Sequence, residues 1–256
     1  MSILEGYLNS LNLHVSEKTI LAYRETIEKF LAYNKSREID KTGAEEFLTY
    51  ISLHGCSARS MNRHLSAIRS FFSYMGLQLG LRSYKFPKNL PVYLTEEEAK
   101  RMVSVARNPL EDAVVKVFLG TGIRLSELLS LTPKDIDPEG YITVLGKGSK
   151  QRVVAVQPEI IELLNRFARG KFPEELIFLY HRTTIQKTVQ RMADRAGIKR
   201  NISPHKLRHS YASLFLRHGG QIADLRDQLG HSNITVTNIY IHTTASDRKK
   251  NLPKTL

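Results

Sequence analysis

The chain carries a single cysteine, Cys56, among its 256 residues. That rules out an intramolecular disulfide and leaves no cysteine-rich zinc cluster. No apolar run approaches the roughly 18 residues needed to span a bilayer. The opening MSILEGYLNS lacks the basic flank and continuous apolar stretch of a secretory signal. These absences lead to the expectation of a cytoplasmic chain. Internal repeats and low-complexity tracts are missing too, and with 41% apolar residues the composition is that of a packed globular protein.

Acidic residues are scarce relative to basic ones. Against 38 Lys and Arg stand 25 Asp and Glu, a formal charge of +13. The excess is concentrated: residues 180–256 hold 14 basic and 4 acidic side chains, a net +10. A basic surface attracts polyanions, of which nucleic acid is the usual one. The chain has neither a lysine-rich tail nor a basic amphipathic helix, which disfavours a membrane surface as the partner.

Hydrophobic periodicity predicts a mainly α protein in two parts. Residues 1–79 read as helical. Ser16 is a candidate cap before Ile20, Leu21, Ile27, Phe30 and Leu31, and Thr42 with Glu45 has the form of a capping box. Ser57 or Ser60 opens a third helix with Met61, Leu65, Ile68, Phe71, Phe72 and Met75 on one side. The other side shows Arg59, Arg63 and Arg69, as a solvated face or as a grip on phosphates. Glycines and prolines mark a linker at 80–92. Thr95-Glu96-Glu97-Glu98 then starts a larger domain, 93–256, with carboxylates suited to a helix N-terminus. Further helices are expected at about 110–120, from Arg124, and at 158–169, 183–196, 205–218, 221–229 and 233–239. Between them Tyr141–Leu145 and Arg152–Val156 form a β-hairpin with a basic, glycine-containing turn.

Several residues in the second part could carry chemistry. Arg124 follows Gly120-Thr121-Gly122, where a guanidinium at a helix start can bind phosphate or pair with Glu127 one turn on. Lys147 sits between glycines at the hairpin tip, with Lys150 as its competitor; either could touch DNA or stay a solvated turn residue. His205 and Arg208 are three apart on one helix and face the same way. His209 is four from His205, but no carboxylate or cysteine completes a metal site. His231 follows Gly230 at a helix end, and Tyr240 lies nine residues later. Singly each has an ordinary structural reading. Together they offer two guanidinium forks, two imidazoles, an ammonium and a phenol. Such a set can cut a phosphodiester through a covalent phosphotyrosine, which conserves the bond energy and makes ATP or a metal cofactor unnecessary.

The runs Gly120–Leu128 (GTGIRLSEL), Gly146–Arg152 (GKGSKQR), Ser203–His209 (SPHKLRH) and Leu229–Ser232 (LGHS) through Tyr240 resemble the tyrosine recombinases of the phage-integrase family, most closely the Xer type. The resemblance implies a two-domain DNA clamp: a small helical core-binding domain and a larger, mostly helical catalytic domain with a small antiparallel sheet. It implies Tyr240 as the nucleophile, Arg124, Arg208 and His231 as stabilisers of the transition state, and Lys147 as the acid for the leaving 5′-oxygen. His205 takes an acid–base or phosphate-binding position, and Glu127 orients the pocket. Arg59, Arg63, Arg69 and Lys150 become candidate DNA contacts. The partners implied are double-stranded DNA at a specific site and three further copies of the chain, active in pairs. An accessory activating protein is left open, as is docking of Thr244–Leu256 on a neighbouring subunit. Chromosome-dimer resolution at a dif-like site is the first expectation, because no arm-binding segment precedes residue 1. Integration or excision of a mobile element, type IB topoisomerase activity, and a DNA-binding protein without catalysis are the alternatives.

Overall fold

The computed structural model describes residues 2–11, 15–35, 38–85, 93–146 and 150–230. The chain forms two compact units, Met1–Lys88 and Asn89–Leu256, each with its own apolar core.

The first unit packs four helices: α1 (Ile3–Leu11), α2 (Glu17–Asn34), α3 (Lys41–Leu53) and α4 (Ala58–Tyr74). The expected apolar face of α4 is its core face, with Met61, Leu65, Ile68, Phe71 and Phe72 all buried. Tyr7, Phe30 and Phe47 complete an aromatic centre around Phe71 and Phe72. Leu21 departs from expectation and faces solvent. So does the start of α3. Its cap is Asp40, whose carboxylate accepts from Gly43 N at 2.8 Å, and Thr42 lies inside the first turn. Ser57, not Ser60, caps α4. The segment after α4 is tied back to it: Asn62 exchanges two hydrogen bonds with the Tyr84 backbone, and the Arg69 guanidinium donates to the Leu81 carbonyl and to Ser83 Oγ. Residues 81–84, expected as the start of a linker, are thus held against α4.

In the second unit Thr95 and Glu98 form a full capping box ahead of α5 (Glu96–Ser104). Then come α6 (Pro109–Thr121), α7 (Leu125–Ser130), a 3-10 turn (Pro133–Asp135) and β1 (Ile136–Asp137). β2 (Tyr141–Leu145), β3 (Gln151–Ala155), α8 (Pro158–Ala168), α9 (Arg182–Arg195), α10 (Pro204–Arg217) and α11 (Ile222–Leu229) complete the described elements. The sheet is antiparallel in the order β1-β2-β3. β1 is a strand the sequence pattern missed, because two residues are too few to show alternation. In β2 and β3 the alternation puts Ile142, Val144 and Val154 into the core. Arg152 shares that inward face with Val154 and pairs across the ladder with Val144.

Gly122 ends α6 in the left-handed region, φ 65°, and a Cβ there would stand 2.3 Å from the Tyr211 ring. Glycine is therefore required both for the turn and for the close approach of α10. α10 is the helix packed most extensively on α6, and its Arg208 reaches the Gly122 carbonyl just ahead of α7.

Candidate active site: an arginine-lined anion pocket

Arg124, His205 and Arg208 line one cavity of about 270 Å3, together with Ser126, Arg182, Gln186 and Ser203. Three helix starts supply the polar wall. Arg124 is the residue before α7, Arg182 opens α9, and Ser203 caps α10 by accepting from Lys206 N. The α10 spacing then carries His205 and Arg208 to the same side. Among the described residues no carboxylate lines the cavity. Three guanidiniums beside a helix N-terminus favour an anion such as a phosphate oxygen.

Glu127, an acidic group next to the pocket, is already paired. Glu127 is 1% exposed and accepts four hydrogen bonds. Arg124 donates its backbone N–H and Nη1, each at 2.7 Å, and Arg152 donates Nη1 and Nη2 at 2.7 and 2.8 Å. Burial pushes the Glu127 carboxyl up. The hydrogen bonds from Arg152 and Arg124 outweigh it and hold the pKa at about 2. The expected Arg124–Glu127 pair thus exists, and Arg124 still presents its guanidinium to the cavity, 36% exposed.

Arg208 is 3% exposed. It donates to the Gly122 carbonyl at 2.6 Å and to the Leu229 carbonyl at 2.7 Å. These bonds fix its charge at the junction of α6, α10 and α11. Arg152 Nε donates to the Gln228 carbonyl at 3.0 Å, and Arg124 Nη2 reaches the Gly230 carbonyl at 3.5 Å. Three successive carbonyls at the C-terminus of α11 therefore meet three different arginines. A helix C-terminus carries unsatisfied carbonyls and partial negative charge, so the arrangement satisfies both partners. Gln228 adds a backbone-like clasp, with its side-chain amide bonded to both N and O of Ala155 on β3.

The His205 ring opens toward the cavity and lies 4.5 Å from the His209 ring, edge to face. Desolvation by the surrounding protein, then the charges of Arg208 and Arg124, lower its pKa. Tyr211, on the same helix, has its phenol pushed up to about 12 by burial, with Gln228 as a hydrogen-bond partner.

Lys147, His231 and Tyr240 lie outside the described residues, as does the helix expected near 233–239. So does the Thr244–Leu256 tail. Lys150 is exposed at the start of β3, and its carbonyl accepts from Gly146 N. Arg59 and Arg63 are exposed on α4, whereas Arg69 is partly buried by its bonds to the 81–83 segment. The sequence reasoning missed Arg152, Arg182 and Gln228. Arg152 was the one within reach: strand alternation points it inward with Val154, and an inward arginine needs a buried carboxylate. Among the described residues no group of three or more His, Cys, Asp or Glu is placed to hold a metal ion. No described helix is long and apolar enough to cross a membrane.

Residues 92–247 match the model of the phage integrase family, and residues 4–77 match that of the phage integrase N-terminal SAM-like domain. The chain belongs to the phage integrase family. Within it the chain is a tyrosine recombinase of the Xer type, a class of DNA breakage and rejoining enzymes. It is 34% identical to the tyrosine recombinase XerA of Pyrococcus furiosus, over 97% of this chain and 92% of that one. It is 32% identical to the tyrosine recombinase XerC of Xanthomonas campestris pv. campestris (strain B100), over 94% and 84%. A crystal structure of the XerH site-specific recombinase bound to palindromic difH substrate has the same fold, with TM-score 0.72 at 24% identity over 91% of this chain and 76% of that one.

Proposed function

We propose that this recombinase cuts and rejoins duplex DNA at one specific site through a covalent 3′-phosphotyrosine on Tyr240, and that it resolves chromosome dimers at a dif-like sequence. The observation that carries the reading is the pocket in which Arg124, His205 and Arg208 converge, with no carboxylate among its described lining residues. The α11 C-terminus, from which the chain runs on to His231 and Tyr240, is tied to the same arginines.

Attack by the Tyr240 phenol on the scissile phosphate forms the new P–O bond and breaks the bond to the 5′-oxygen. Negative charge grows on the non-bridging oxygens as this happens. Arg124 and Arg208 stand ready to neutralise it before the reaction begins, which is the main way such a pocket lowers the barrier. His231 joins them from the segment after α11. Lys147, from the β2–β3 connection, protonates the leaving 5′-oxygen. The lowered pKa of His205 keeps its imidazole neutral near pH 7, the form that accepts a proton from the phenol or a hydrogen bond from it. The phosphotyrosine keeps the bond energy, so religation by a 5′-hydroxyl reverses the step without ATP.

Arg59 and Arg63 on α4, and Lys150 beside the hairpin, supply phosphate contacts along the duplex. Arg69 acts mainly as the clasp of the 81–83 segment. Four copies assemble on two sites and act in pairs, in the cytoplasm beside the nucleoid.

The test is covalent trapping on nicked duplexes that carry candidate chromosomal sites, in EDTA, with Tyr240→Phe beside the wild type. An adduct with wild type alone, on one site alone, is expected. An adduct on every duplex points to a topoisomerase instead, and binding without any adduct to a protein that no longer cuts.

A further inference from the structure

Arg152 has no part in the chemistry just described, yet all three of its guanidinium nitrogens are bonded beside the pocket. Its planar fork grips both oxygens of Glu127, at 2.7 and 2.8 Å, while Nε donates to the Gln228 carbonyl at 3.0 Å. It is 12% exposed and does not line the cavity. Glu127 Oε1 is shared: Arg124 Nη1 and Arg152 Nη1 both donate to it at 2.7 Å. The backbone is shaped around this side chain. Gly230 has φ 64°, and a Cβ there would lie 2.6 Å from Arg152 Cδ and 2.9 Å from its Nε.

We propose that Arg152 is a positioning residue for strand cleavage: by sharing the Glu127 carboxylate it sets how strongly Arg124 is held back from the phosphate, and by its bond to Gln228 it fixes the segment that leads to His231. This rests on the function proposed above. A carboxylate with two arginine partners presents each with part of its charge. With Arg152 absent, the full Glu127 charge falls on Arg124. The Arg124 guanidinium then closes onto Glu127 and gives up its approach to the cavity. A lysine cannot replace Arg152, because a single ammonium cannot span two carboxylate oxygens and a carbonyl in fixed geometry. The action runs through Glu127, so it predicts a specific remedy: a neutral amide at 127 releases Arg124 again.

The experiment compares wild type, Arg152→Met, Arg152→Lys and the double variant Arg152→Met/Glu127→Gln. Each is assayed by single-turnover adduct formation at saturating concentrations of the nicked duplex on which the wild type reacts. Affinity for that duplex is measured separately by mobility shift, and folding by circular dichroism. Arg152→Met is expected to cleave about 10- to 100-fold more slowly, the scale of a misplaced catalytic group, with duplex affinity changed by less than about twofold because phosphate contacts elsewhere carry binding. Arg152→Lys stays within that slow range. The double variant regains about fivefold or more over Arg152→Met, a coupling of the kind a double-mutant cycle reports between residues that act through each other. Because Glu127→Gln also removes the buried charge that Arg152→Met leaves half-paired, the recovery counts only where circular dichroism shows the single and double variants equally folded. Cleavage by folded Arg152→Met within about twofold of wild type overturns the assignment. So does a double variant as slow as, or slower than, the single one. Failure of the parent reading registers elsewhere, as a wild type that forms no adduct or a Tyr240→Phe variant that still does.

Discussion

Glu127→Gln is expected to remove about 3 kcal/mol of stability from the second unit at neutral pH, and the deficit should shrink as the solution is acidified. The carboxyl holds its proton at about 2 in the folded chain against 4.5 for an ordinary glutamate. Two and a half units of difference correspond to roughly 3 to 4 kcal/mol at about 1.4 kcal/mol per unit. The side chain is 1% exposed, so solvent screening takes little from that figure. The value also falls near the low end of the roughly 3–5 kcal/mol lost when a buried ion pair is left with one partner. The sign follows from the depressed folded pKa. The stabilisation is complete above the unfolded value and is lost as pH falls through about 4.5 toward about 2. The glutamine variant has no such titration, so the gap between the two proteins narrows by about 1.4 kcal/mol near pH 3.5. Urea unfolding followed by far-UV circular dichroism is the assay, because the chain has no tryptophan to report by fluorescence. The transition of the second unit is the one expected to move. A variant as stable as wild type near pH 7, or a gap that stays constant down to pH 3, would refute the claim that Glu127 is an ionised hub.

Two further outcomes follow from the same geometry. Gly122→Ala brings a methyl group to within 2.3 Å of the Tyr211 ring at φ 65°, so a loss of roughly 2 kcal/mol or more is expected in the same unfolding assay. The His205 imidazole should titrate below the usual value of about 6.5 by NMR. Arg208→Gln should move its midpoint up further than Arg124→Gln, because Arg208 is the larger of the two charge effects; equal or opposite movements would contradict that electrostatic order.

Much of this protein was legible from local rules. The α4 face is one case: its apolar residues recur at helical spacing, and burial follows from that periodicity alone. Thr95 followed by Glu98 is another, since a capping box needs only four consecutive residues. His205 and Arg208 share a face because 3.6 residues per turn puts them there. The sequence likewise determined that the pocket would be basic, through the composition of its last third and the motifs within it.

The tertiary structure decided where the acids went and what each arginine does. Asp40 outcompetes Thr42 as the cap of α3 because the backbone enters the helix two residues earlier than the capping-box pattern suggests. Arg69, on the polar face of its helix, closes onto a carbonyl 12 residues later, and no helical periodicity reports that. Glu127 and Arg152 are 25 residues apart and meet only because the sheet packs beside α7. Arg152, Arg208 and Arg124 converge on the end of α11 from three other elements. Periodicity fixes which way a side chain faces within its own helix or strand. Its partner across the fold is fixed by packing and by the cost of burying a charge alone, and both of these exist only once the chain has folded.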